Sequence, residues 1–118
     1  MINKILVIDD NTIFCNAVKN HLSQKEYKVK TCLSHSEFED KIDIEEFDLI
    51  LLDMKLKDAE GLDILQDILK ISPEKKIIII SSYLDDKCIL KANELGAYKY
   101  IHKSSNLFEE LDLIIKEI

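Results

Sequence analysis

The 118-residue chain has no tryptophan, no arginine, one proline (Pro73) and two glycines (Gly61 and Gly96). So little Gly and Pro excludes collagen-like and low-complexity chains, and a hydrophobic share of 47% excludes disorder. Apolar runs such as Ile77 to Ile80 are strand-sized, whereas a membrane span needs about 18–20 residues. Met1-Ile2-Asn3-Lys4 lacks the charged head, apolar stretch and cleavage site of a signal peptide. The chain is therefore expected to be soluble and cytoplasmic, without membrane contact. Cysteine is sparse too: Cys15, Cys32 and Cys88 lie far apart. No CxxC or Cys/His ligand spacing exists, so neither zinc nor a disulfide framework is expected, only reduced, buried thiols. His21, His35 and His102 show no ligand spacing and receive no role. Positive charge is also short, with 16 lysines against 23 acids and a net charge of −7. With no basic stripe, nucleic acid is not an expected partner of this domain.

What is present alternates between strand and helix patterns. The length suits a single domain spanning 1–118. Apolar runs at Lys4–Ile8, Tyr27–Leu33, Phe47–Leu52, Lys76–Ile80 and Tyr98–His102 predict five strands. Between and after them, helical spacing predicts helices over Thr12–Gln24, Ser36–Glu46, Gly61–Ile71, Asp85–Leu95 and Asn106–Ile118. Ser72-Pro73 ends the third helix, and Gly96 closes the fourth. Ile13 and Phe14 are read as core residues of the first helix. Continuous apolar strands alternating with helices imply a parallel sheet covered on both faces, an α/β doubly wound fold.

In such sheets, ligands bind beyond the carboxyl ends of the strands, near the point where strand order reverses. Asp9 and Asp10 follow the first strand, Asp53 the third, Ser81 and Ser82 the fourth, and Lys103 the fifth. Two carboxylates about 4 Å apart repel by about 1 kcal/mol in water and about 4 kcal/mol at an effective dielectric near 20. Three acids together call for a hard cation, for which Mg²⁺ is suited. Lys103 and a Ser81 hydroxyl would hold the oxygens of a phosphoryl group, and a carboxylate can itself be the nucleophile. Taken singly, each residue has a plainer reading. Asp10 or Asn11 caps a helix, the serines form a turn, and Lys103 is a solvated cation. The conjunction favours the metal and phosphate reading. A nucleotide binder would need a Ser/Thr/Gly-rich loop where Asp9-Asp10-Asn11 stands, and a GxGxxG is absent. A two-acid phosphohydrolase would need an acid at Lys55.

Four segments carry a resemblance across nearly the whole chain: Lys4-Ile-Leu-Val-Ile-Asp-Asp-Asn11, Asp48-Leu-Ile-Leu-Leu-Asp53 with Gly61 following, Ile77-Ile-Ile-Ile-Ser-Ser82, and Gly96-Ala-Tyr-Lys-Tyr-Ile-His-Lys103. The sequence resembles the response regulator receiver domains of two-component signalling. The resemblance implies a flavodoxin-like (βα)5 fold with strand order 2-1-3-4-5. Asp53 would accept the phosphoryl group. Asp9 and Asp10 would place Mg²⁺, with Asp10, Asp53 and the Lys55 backbone carbonyl as ligands. Ser81 and Tyr100 would be the switch pair, and Lys103 the phosphate-binding lysine. The donor would be a sensor histidine kinase or phosphotransfer protein. The output would pass through the face of the fourth helix, fifth strand and fifth helix. Its receiver would be a downstream protein or a covalently linked output domain outside this chain. Asp85, Asp86, Lys87, Lys91 and Glu94 give that face mixed charge, and homodimerisation through it stays open. Such a domain is a switch, not an enzyme with its own substrate. A phosphorylation-independent interaction module on the same fold is the alternative.

The chain departs from the family pattern at two usual prolines, replaced by Lys57 and Ser104. Because a cis bond to a non-proline costs about 2.5–4 kcal/mol, the Lys103–Ser104 bond is expected to be trans. Lys55 and Tyr83 flank the phosphoryl site in the family, and here are expected to shield an acyl phosphate from water.

Overall fold

The computed structural model describes residues 1–82 and 85–118. Five parallel strands form one sheet in the order β2-β1-β3-β4-β5, as expected. They are β1 (Lys4–Ile8), β2 (Lys28–Cys32), β3 (Leu49–Asp53), β4 (Lys76–Ser81) and β5 (Lys99–His102). The helices are α1 (Thr12–Ser23), α2 (His35–Lys41), α3 (Gly61–Ile71), α4 (Asp86–Leu95) and α5 (Leu107–Glu117). The apolar strands are explained by burial on both faces. Ile5, Val7, Leu49, Leu51, Ile78, Ile80 and Ile101 face α1 and α5, packing with Cys15, Val18, Leu22, Leu111 and Ile115. Leu6, Ile8, Ile50, Leu52, Ile77 and Ile79 face the opposite side, against Ile64, Leu65, Ile68 and Ala92.

Two expectations are corrected. The predicted helix Ser36–Glu46 stops at Lys41; Ile42 is extended, and a separate 3-10 turn covers Ile44–Glu46. The Asp43 side chain accepts from Glu45 N at 3.1 Å, a local cap that competes with continuing the helix. The break also lets Ile44 and Phe47 reach the core. Ile13 is not a core residue: it is 81% exposed. Cys15, Val18 and Leu22 define the buried face of α1, and two residues of helix turn the chain by about 200°, so Ile13 faces outward. Phe14 is partly buried against that cluster.

Both glycines have structural causes. Gly96 has φ 110° and ends α4, where a side chain would be strained. A Cβ on Gly61 would fall 2.4 Å from the Asp53 carbonyl oxygen, so only glycine lets α3 start against the end of β3. No cis peptide occurs among the described residues, so the Lys103–Ser104 bond is trans.

Candidate functional site

The order of strands reverses between β1 and β3. β2 lies on one side of β1, and β3 leads to β4 and β5 on the other. The crevice at the carboxyl ends of β1 and β3 is therefore the place where this fold binds ligands. Asp9 and Asp10 follow β1, and Asp53 is the last residue of β3. One carboxylate oxygen from each lies within 4.8 Å of the others.

Each acid has its own anchor. Asp9 is 1% exposed. Its Oδ1 accepts from Asn11 N at 2.9 Å, and its backbone N donates to the Cys32 carbonyl at 3.0 Å. Asp10 Oδ2 accepts from the backbone N–H of Lys57 at 2.8 Å. A proline at 57, usual in the family, has no N–H to offer. Asn11 caps α1, its Oδ1 accepting from Phe14 N at 3.0 Å, which settles the capping role on Asn11. Met54 O accepts from Gly61 N in the loop after Asp53, and Leu56 N donates to Ala59 O, flanking a bridge between Lys55 and Glu60. Asp58 ties the same loop to α2, accepting from His35 N at 3.0 Å and Ser36 N at 3.1 Å. Those two N–H groups hold its carboxyl below the usual carboxylate range.

Lys103 enters from the end of β5. Its Nζ donates to Asp9 Oδ2 at 2.7 Å and stands 3.6 Å from Asp53 Oδ1. Its backbone N donates to Ser81 O at 2.7 Å, joining the ends of β5 and β4. Ser81 is buried and sits one step beyond Ile80, the residue paired with Asp53. Tyr100 is half-buried on β5, against the α2–α3–α4 side of the sheet. The structure thus gathers Asp9, Asp10, Asp53 and Lys103 at the crevice, with Ser81 at the adjoining strand end. Lys55 lies in the loop beyond β3, and Tyr83 lies outside the described residues.

The acids crowd each other. Burial pushes the Asp53 carboxyl up to about 6, the Asp9 charge adds to the rise, and Lys103 opposes it. A hard divalent cation fits this donor set: three close carboxylates in a polar crevice, with more negative charge than one lysine offsets.

A sequence profile of the response regulator receiver domain matches residues 5–115. The chain belongs to this family. It is 32% identical over 109 residues to the transcriptional regulatory protein KdpE of Staphylococcus aureus, covering 92% of this chain and 47% of that protein. It is 30% identical to the DNA-binding transcriptional regulator NtrC of Azospirillum brasilense, covering 93% of this chain and 23% of NtrC. The chain therefore spans about half, or less, of these relatives. Among solved structures, the BeF3-activated DrrB receiver domain is 33% identical with a TM-score of 0.86, covering 99% of this chain and 97% of that one. A CheY-like receiver domain from Methanospirillum hungatei is 32% identical with a TM-score of 0.89, covering 99% and 93%. The flavodoxin-like fold and the receiver assignment both stand. Receiver domains of response regulators are signalling switches.

Sequence reasoning missed two contributors to the receiver site. Phe14 lies under the Lys103 ammonium, 4.3 Å from Nζ to the ring centroid. Lys57 acts through its backbone N–H, which no side-chain pattern reveals.

Proposed function

We propose that Asp53 is the phosphoryl acceptor of this receiver domain, with a phosphohistidine of a sensor kinase or phosphotransfer protein as donor. The observation that carries the reading is the placement of the Lys103 ammonium between Asp9 and Asp53, beside three clustered carboxylates. Asp9, Asp10, Asp53 and the Lys55 carbonyl would hold Mg²⁺, which when bound supplies positive charge to the carboxylates and the transferring oxygens.

An Asp53 carboxylate oxygen attacks phosphorus in line as the P–N bond to the donor imidazole breaks, and the bonding pair leaves with the nitrogen. Lys103 offsets charge on the phosphoryl oxygens, and the Ser81 hydroxyl donates a hydrogen bond to one of them. Asp9 keeps Lys103 extended into the crevice. Catalysis is positioning and charge stabilisation, consistent with a switch and not an enzyme with a separate substrate.

Phosphorylation then favours one of two conformations, with Ser81 and Tyr100 as the switch pair. The α4–β5–α5 face delivers the change to a downstream protein or a linked output domain, or to a second copy. The 118 residues act as one receiver unit, in the cytoplasm. Lys55 shields the acyl phosphate, so Lys55→Ala loses it faster.

Intact mass after incubation with acetyl phosphate tests the assignment. One added phosphate that needs Mg²⁺ and is absent from Asp53→Asn supports it. An unmodified, Mg²⁺-binding wild-type chain that also refuses a phosphohistidine donor would instead favour the phosphorylation-independent module.

A further inference from the structure

Lys103 is held from three directions. Asp9, after β1, accepts its hydrogen bond at 2.7 Å; Asp53, at the end of β3, lies at 3.6 Å; and the Phe14 ring lies under the ammonium at 4.3 Å. Phe14 comes from the first turn of α1, fixed by the Asn11 cap directly after the two acids. The lysine side chain is 17% exposed as a result.

The ring differs from the acids in what it asks of the ammonium. Its negative face attracts the charge without using an N–H donor. A lysine has a long, flexible stem, and the acids alone do not select one arrangement of it. The donors must also stay available for phosphoryl oxygens. Beside the stem lies a cavity of about 320 Å³, lined by Phe14, Ser104, Ser105, Leu107 and Phe108, which gives the stem room to swing away.

We infer that Phe14 is a positioning residue for phosphoryl transfer: its ring holds the Lys103 ammonium over the crevice, where it meets the oxygens of the group arriving at Asp53. The inference rests on the reading of Asp53 as acceptor.

The test compares wild type with Phe14→Leu, Phe14→Met and Phe14→Tyr. Leu and Met keep apolar volume but remove the ring, and Tyr keeps it. Three readouts are needed: the rate of phosphorylation by acetyl phosphate at saturating Mg²⁺, the Mg²⁺ affinity, and the NMR shift of the Lys103 ε-methylene. Leu and Met slow phosphorylation by about three- to ten-fold, the range expected for such a contact, and Tyr does not. The ring-current shift disappears with Leu and Met and persists with Tyr. Mg²⁺ affinity does not fall, because Asp10 and Asp53 keep their places. Unchanged rates in both ringless variants would overturn the inference. So would rates and Mg²⁺ affinity falling together, since that would show α1 and its neighbouring acids loosened. A wild-type chain that takes up phosphate neither from acetyl phosphate nor from a phosphohistidine donor would overturn the acceptor reading itself, and the Phe14 role in transfer with it.

Discussion

Replacing Asp53 by Asn should stabilise the metal-free protein at neutral pH. The carboxyl is buried beside Asp9 and Asp10, and its pKa rises from 3.8 to about 6. A rise of about two units corresponds to about 3 kcal/mol at ~1.36 kcal/mol per unit. One side of the carboxyl opens to the crevice, where solvent screening reduces the figure to about 1–2 kcal/mol. The sign follows from proton uptake. The folded state binds the Asp53 proton more tightly than the unfolded state does. Ionisation therefore costs stability in full above about pH 6, and the cost disappears as pH falls towards about 4. Urea unfolding in EDTA measures it. Asp53→Asn should raise the midpoint by roughly 0.5–1 M at about pH 7.5, taking a slope of ~2 kcal/mol/M. The gain should vanish by about pH 4. Millimolar Mg²⁺ should narrow it at neutral pH, because the ion stabilises the carboxylate form more. An Asn variant no more stable than wild type at neutral pH, or a gain that does not change with pH, would show that the buried Asp53 charge carries no such cost.

Other changes read the surrounding structure. Gly61→Ala drives a methyl into the Asp53 carbonyl and should cost about 1–3 kcal/mol in urea unfolding. Asn11→Ala removes the α1 cap and should cost about 1 kcal/mol by the same assay. Lys103→Met leaves the buried Asp9 carboxylate without its cation, so stability at neutral pH should fall while Mg²⁺ affinity, measured by calorimetry, rises. Burial pushes the Cys15 and Cys32 thiols up to about 12 and about 11, so a disulfide reagent at neutral pH should modify Cys88 first and the other two only on unfolding.

Much of the fold was legible because the sheet is buried on both faces. Ile5–Ile8, Leu49–Leu52 and Ile77–Ile80 read as strands from composition alone, and each leads directly into polar or acidic residues. Those residues fall at the site because the topology places strand ends there. The less legible features depend on phase and on backbone groups. Ile13 and Phe14 are adjacent and both apolar, yet one is exposed and the other reaches Lys103. The helix break at Ile42 turns on a single Asp43 cap within an otherwise helical pattern. The Asp10–Lys57 bond involves a backbone N–H whose partner depends on the tertiary path of the loop.

The proposed function turns on phosphate being carried on Asp53. Borohydride reduction of the phosphorylated chain, followed by peptide mass spectrometry, locates an acyl phosphate by converting its aspartate to homoserine. Homoserine is expected at position 53 alone. Homoserine at position 9 or 10, or phosphate retained on a serine or tyrosine, would contradict it.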